Sequence, residues 1–266
     1  MKPTLDGVKA KIAQAKRHSD LFDGKYKEWR NSMLAEPPIT VESDTLSRKP
    51  TFIIKAPPPD PTLSLIIGDC LHNLRVSLDH LAGQLASLDG YDVMSYSNLA
   101  FPIYTSESKY KSAREKIEKF IKNQDVIKVI DAIQPFHRKD PNTDPLWVLS
   151  NLDNIDKHRA LVVVAPRINK GQAQESAGSA EHAKQIIGSY GPYSIDFQIE
   201  ISPPNDKTSL EEDRAARTIT IRSDATLVLA DTGLPCDNWS VQKSVQLITD
   251  RVQGIINKFD KQFFVK

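Results

Sequence analysis

A short stretch in the first third of the chain carries side chains suited to acid–base chemistry. Residues 67–85, IGDCLHNLRVSLDHLAGQL, hold two imidazoles, an arginine, an amide and two carboxylates, namely Asp69, His72, Asn73, Arg75, Asp79 and His80. Histidine exchanges protons near neutral pH, and arginine binds oxyanions through its planar fork. On a helix at about 100° per residue these groups lie opposite a leucine-rich stripe. Since this face has neither Lys nor Glu, we expect it to line a groove or a subunit interface.

A second segment, PLWVLSNLDNIDKHR at 145–159, carries similar side chains on a predicted helix. Asp144 suits the N-cap of this helix and Pro145 suits its first turn. Beside an apolar stripe runs a polar line at spacings of four, three and four residues, made of Trp147, Asn151, Asn154 and His158. The matched patterns predict that the two helices pack side by side.

We expect the two polar lines to meet, with Asn73 or His80 near Asn154 or His158. The full cluster would comprise Asp69, His72, Asn73, His80, Asn151, Asn154 and His158. Two interpretations stay open, because a satisfied buried network stabilises a fold as readily as it forms a site. On the structural interpretation, the cations that end the second helix are favoured by its dipole.

One motif within the first helix resembles a known signature. RVSLDH, from Arg75 to His80, places an Arg, four residues and a His on a helix, as in the HEPN superfamily of small helical toxin and defence domains. The resemblance implies metal-independent RNA cleavage at a dimer interface, without a cofactor or metal. GDCLHNLRVSLDHLA, FPIY, QPF and NIDKHR also look like a family of bacterial proteins of no established function, over about residues 60–165.

Under this hypothesis the expected partners are RNA or a nucleotide and a second copy of the chain. His80 would act as base or acid and Arg75 would clamp the phosphate, while Asp79 orients one of them and His158 supplies a second acid. The remaining polar groups would bind the substrate, namely Asp69, His72, Asn73, Asn151, Asn154, Lys157 and Arg159. The basic segment 108–128 is more readily a solvated helix face than an RNA contact.

Two other functions compete with the ribonuclease. A non-catalytic module would hold a nucleotide, RNA or protein in the same groove. A metal enzyme would use Asp69, His72, His80 and His158 with Asp156, and this is the weakest candidate because HExxH is absent from the sequence.

Composition narrows the class of protein. The 266 residues are 39% hydrophobic and 26% charged, with a formal net charge of +1 and two cysteines. These values are typical of a globular chain without a global field that attracts nucleic acid, and without a disulfide scaffold. The N-terminus lacks the apolar region of a signal peptide, and no apolar run reaches membrane-spanning length, so we expect a cytoplasmic protein that does not enter a membrane.

The order of elements predicts an α+β fold that is mainly α. We expect a HEPN-like helical bundle with a small antiparallel sheet and a long C-terminal helix, forming one integrated domain over 1–266. Its helical core would span about 1–160 plus 240–266, with a β-rich insertion at about 160–235 and a flexible loop at 168–186. The last helix has an apolar stripe at spacings of three and four, made of Val241, Val245, Ile248, Val252, Ile255, Phe259 and Phe263.

Overall fold

The computed structural model describes residues 3–35, 39–42, 51–55, 58–92, 99–158, 163–177, 180–182, 189–190, 194–198 and 217–264. The chain divides into two compact units. The first unit holds residues 1–23, 61–163 and 229–266, and the second holds 24–60 and 164–228. The expectation of one integrated domain over the whole chain stays a prediction.

Helices form most of the first unit. In the described part of the chain the α-helices are α1 (Asp6–Ala35), α2 (Thr62–Leu88), α3 (Glu107–Ile117), α4 (Gln124–Ala132), α5 (Pro145–His158) and α6 (Val241–Phe259). Residues 6–23 of α1 belong to this unit. The fold is therefore α+β and mainly α, with a helical bundle and a long C-terminal helix, as the sequence predicts. None of the described helices has the length and apolar character that a bilayer crossing requires.

Helix α2 lies at the centre of the bundle. Its predicted apolar stripe is buried from Ile67 to Leu85, because residues three and four apart share one face of a helix. Residues 4–15 run antiparallel to α2. The amide of Thr4 donates to Oε1 of Gln84 at 2.9 Å, and Sγ of Cys70 donates to the carbonyl of Ala15 at 3.3 Å.

The start of α5 is fixed by a buried aspartate, as the sequence predicts. Oδ1 of Asp144 accepts from the amide of Leu146 at 2.8 Å, which satisfies a donor of the first turn. Its other oxygen pairs with Arg138 at 3.2 Å and with Arg251 of α6 at 3.6 Å. Burial lowers the pKa of Arg251, and the Asp144 carboxylate opposes that shift. This cluster ties α5 to the C-terminal helix.

Helix α6 buries the apolar stripe that the sequence predicts. Val245, Ile248, Val252 and Phe259 are buried, and Phe259 meets Phe101 edge to face with centroids 6.5 Å apart. The sequence predicts one helix over 240–264. In the structure α6 ends at Phe259 and a π-helical turn continues over Asp260–Phe264.

Strands form two sheets in the second unit. The strands are β1 (Ile39–Glu42), β2 (Thr51–Lys55), β3 (Val163–Ala177), β4 (Ala180–His182), β5 (Ser189–Tyr190), β6 (Ser194–Gln198) and β7 (Arg217–Ala230). One sheet has the order β1-β2-β6-β5 and is antiparallel throughout, and the other has the order β4-β3-β7. The register places Phe52 opposite Phe197 and Ile54 opposite Ile195, which explains the alternation in SIDFQ.

Two sequence expectations change here. Within the predicted loop at 168–186, the described residues 168–177 and 180–182 all lie in strands, because β3 pairs with β7 and β4 and its backbone groups enter a ladder. Strands β1 and β2 join the β-rich unit rather than a helical core spanning 1–160.

Candidate acid–base site between two helices

Helices α2 and α5 pack side by side, as the sequence predicts, and they run antiparallel. Gly68 of α2 lies against Asp156 of α5, and a Cβ on this glycine would lie 2.5 Å from Oδ1 of Asp156. One turn further along α2, His72 meets Asp153. The absent side chain of Gly68 therefore permits the close approach that brings these polar groups together.

A histidine held by a buried carboxylate forms the centre of this contact. Nδ1 of His72 lies 3.0 Å from Oδ1 of Asp153, whose side chain is only 3% exposed, while the His72 side chain is 43% exposed. Nζ of Lys157 donates to Oδ2 of Asp153 at 2.7 Å. Since a carboxylate only accepts hydrogen bonds, Nδ1 of His72 is the donor, and Nε2 of the neutral ring has a lone pair for a proton.

Arg75 and Asp79 form the ion pair that their spacing predicts. Nη2 of Arg75 lies 3.0 Å from Oδ1 of Asp79 and donates to the carbonyl of Phe101 at 2.9 Å. The amide of Phe101 in turn donates to Oδ1 of Asp79 at 2.8 Å. These bonds attach the extended segment around residue 101 to α2. The Arg75 side chain is 12% exposed, so most of its guanidinium is withdrawn from solvent.

Burial dominates the electrostatics of Asp79. Loss of hydration raises the pKa of Asp79 above its ordinary value of 3.8. The Arg75 guanidinium and the Phe101 amide oppose this shift, and the Lys157 ammonium opposes it more weakly. The negative charge of Asp153 on α5 also raises the pKa of Asp79, as the last of these causes.

The polar face of α2 divides between two neighbours, so the described members of the predicted cluster do not come together at one place. Asn73 turns toward α1, where Lys11 donates to its Oδ1 at 3.5 Å, and Nδ2 of Asn73 donates to the carbonyl of Asp69 at 2.8 Å. His80 is exposed, and a Cβ on Gly7 of α1 would lie 3.6 Å from its Nδ1.

Arg75 and His80 have different neighbours, because the polar face of α2 contacts more than one element. The two residues are five apart, about 140° around an ideal helix. Arg75 contacts Phe101, whereas His80 lies beside Gly7 on α1. A joint catalytic role for them therefore has no support in their contacts within this chain.

On α5 the expected polar line is not the one that meets α2. Nδ2 of Asn151 donates to the backbone carbonyl of Trp147 in its own helix at 2.8 Å, and Asn154 is exposed. Asp153, which lies between these two positions, and Asp156, two residues after Asn154, face α2 instead. Asp69 of α2 is also exposed. The side chain of His158 and the whole of Arg159 lie outside the described residues.

A cleft lies near the contact between His72 and Asp153. It has a volume of about 280 Å³ and is lined by Arg75, Leu99, Ala100, Phe101, Pro102, Ile103, Tyr104, Ala113, Lys116, Ile117, Phe120 and Ser150. Arg75 lies one helical turn beyond His72, and Ser150 lies one turn before Asp153. The cleft and the His72–Asp153 pair are therefore neighbours along both helices.

Sequence reasoning missed Asp153 and Gly68. Asp153 reads as a surface acid because Lys157 follows it at the spacing of an exposed ion pair. Gly68 itself was the available signal, since a glycine inside a helix often marks a place where another element packs closely against it.

Among the described residues, no group of three His, Cys, Asp or Glu side chains is placed to hold a metal ion. Comparison with family models, with curated proteins and with solved structures finds no match for this chain. The HEPN resemblance accordingly remains an expectation from the sequence.

Proposed function

We propose that the protein is a metal-independent endoribonuclease in which His72, rather than His80, accepts the proton. One observation carries this proposal. The His72 ring is partly open to solvent while the nearly fully buried Asp153 holds its Nδ1. A carboxylate in this position fixes the tautomer of the ring and stabilises the imidazolium that proton transfer creates.

The reaction follows from this arrangement. Nε2 of His72 takes the proton of a ribose 2′-hydroxyl, the 2′-oxygen forms a bond to phosphorus, and the bond from phosphorus to the 5′-oxygen breaks. A water gives its proton to the leaving 5′-oxygen, and the imidazolium returns its proton to the resulting hydroxide. The products are a 2′,3′-cyclic phosphate and a 5′-hydroxyl, and His72 is restored.

Positive charge near the site supports an anionic substrate. Arg75 lies one turn from His72, and Lys157 contacts the same aspartate as His72 does. Charges fixed in a partly buried site stabilise the extra negative charge of a phosphorane more strongly than charges in water. A toxin or defence role, and a homodimer, belong to this proposal through the sequence resemblance.

A non-catalytic module that binds a nucleotide, RNA or protein in the same groove is the second candidate. The bonds of Arg75 favour it, because Nη2 is already engaged by Asp79 and by the carbonyl of Phe101. An arginine used in this way attaches one segment to another.

The substrate and product chemistry test the proposal. Wild-type protein is incubated in EDTA with an RNA oligonucleotide and with the same sequence in DNA. We expect cleavage of the RNA alone, with a 2′,3′-cyclic phosphate end identified by mass spectrometry. A single 2′-deoxy substitution at the cleavage site should abolish that cut. Intact RNA at high protein concentration would favour the binding module.

A further inference from the structure

The cleft beside the acid–base site has a charged residue in its lining. Arg75 lines it, and Nη1 of Arg75 is buried with no hydrogen-bond partner among the described residues. Buried guanidinium nitrogens are nearly always hydrogen-bonded in folded proteins. The Arg75 guanidinium therefore keeps one donor that its bonds to Asp79 and to the carbonyl of Phe101 do not use.

The walls of the cleft are partly apolar. Helix α3 and the turn after it contribute Ala113, Ile117 and Phe120, and the extended segment opposite contributes Pro102 and Ile103. An aromatic ring and aliphatic groups along the cleft suit a flat ring, which gains dispersion contacts against them.

Further polar groups surround these walls. Lys116 of α3 lines the cleft and is exposed, so its ammonium is free to turn toward an anion in the cleft. Tyr104 and Ser150 also line the cleft and provide hydroxyl groups. Two cations, two hydroxyls and apolar walls match a ligand that combines a phosphate with a flat base.

We propose that this cleft binds one ribonucleoside monophosphate unit, with the phosphate between Arg75 and Lys116 and the base against Ile117 and Phe120. The proposal rests on the proposed ribonuclease function for its biological meaning. Because Arg75 is one turn from His72, a phosphate at this position lies beside the proton acceptor. The cleft thus holds the nucleotide next to the scissile bond.

Isothermal titration calorimetry tests this assignment on the full chain. The probes are the four common ribonucleoside 5′-monophosphates, adenosine and inorganic phosphate. We expect at least one monophosphate to bind about tenfold more tightly than adenosine or phosphate alone. Only the monophosphate contacts both the apolar walls and the two cations of the cleft. Lys116→Ala should weaken that binding about tenfold through loss of one charged contact.

Two control variants separate binding in the cleft from binding elsewhere on the protein. Lys111→Ala removes an exposed charge from the same helix outside the cleft lining, and it should leave binding unchanged. Lys109→Ala, which also removes an exposed charge from this helix outside the cleft lining, should bind normally too. The proposal is overturned if no monophosphate binds, if phosphate alone binds equally well, or if Lys111→Ala weakens binding as much as Lys116→Ala.

The same titration distinguishes failure of the cleft from failure of the ribonuclease. Wild-type protein that cleaves RNA but binds no monophosphate would overturn the cleft and leave the ribonuclease standing. Protein that binds a monophosphate, with the expected loss in Lys116→Ala, but never cleaves RNA would support the cleft and reject the catalytic function.

Discussion

Nδ1 of His72 and Oδ1 of Asp153 are 3.0 Å apart, and they join the two helices that the sequence marks as carrying histidine and amide side chains. The aspartate is almost fully buried and the histidine is not. A buried acceptor fixes the ring, and the exposed edge of the ring remains available for chemistry. This pair therefore replaces Arg75 and His80 as the centre of the proposed site.

The pH dependence of stability should reveal the burial of Asp79. Since burial raises its pKa above 3.8, the folded state binds this proton more tightly than the unfolded chain does. The stabilisation is fully present below the unfolded pKa and is lost as pH rises through the folded pKa. The free energy of unfolding of wild type, minus that of Asp79→Asn, should therefore fall as pH rises from about 3 to 7.

Urea unfolding at a series of pH values measures this difference. Asp125→Asn serves as the control, because Asp125 is largely exposed and pairs only with Lys128 in the described structure. If the free energy of unfolding of wild type, minus that of Asp79→Asn, grew with pH, the prediction would be contradicted. The Arg75 guanidinium would then lower the pKa of Asp79 more than the loss of hydration raises it.

Gly68 should resist substitution although it lies in a helix. Gly68→Ala places a methyl group 2.5 Å from Oδ1 of Asp156, so the Asp156 side chain must move. We expect a loss of about 1–3 kcal/mol in the free energy of unfolding, as in other overpacked sites. Gly254→Ala in α6 meets nothing within 4 Å and should stabilise by about 0.5–1 kcal/mol. Equal stabilisation by both changes would rule out close helix contact at Gly68.

Phe259 should be a main anchor of the C-terminal helix. Its side chain is fully buried between Phe101 and Phe263, so Phe259→Ala should cost about 3–5 kcal/mol. Leu247→Ala, at an exposed position of the same helix, should cost less than about 1 kcal/mol. Chemical denaturation measures both, and similar small losses would mean that α6 is not packed through Phe259.

Both cysteines should be unreactive in the native protein. Burial raises the pKa of the Cys70 thiol to about 12, and burial also raises that of Cys236. The nucleophilic thiolate is therefore scarce at each position. Ellman's reagent at pH about 8 should modify neither thiol in folded protein and both in guanidinium. Rapid native labelling of either cysteine would show that its surroundings open readily.

The fold was largely predictable because its signals are local. The leucine spacing of α2, the N-cap at Asp144 and the apolar stripe ending near Phe259 each depend on residues within a few turns. The described parts of β3 and β4 beyond residue 168 were not predicted, because pairing with other strands, rather than local composition, decides their structure.

The site was harder to predict because it depends on contacts between elements. The sequence indicates which face of α2 is polar, but not that this face divides between α1 and α5. Asp153 is buried one turn from Gly68, where the missing side chain lets α5 lie close to α2. Arg75 donates a hydrogen bond to the backbone carbonyl of Phe101, and no periodic pattern in the sequence predicts a bond to a carbonyl outside the helices.

RNA cleavage by His72→Ala and His80→Ala, assayed side by side in EDTA, decides which histidine accepts the proton. Both histidines are at least partly exposed, so circular dichroism melts should show that each variant remains folded. We predict that His72→Ala lowers the cleavage rate by about 10²–10⁴, whereas His80→Ala changes it less than about threefold. The proposed role of His72 would be contradicted if His72→Ala cleaved at the wild-type rate, or if His80→Ala alone lost activity.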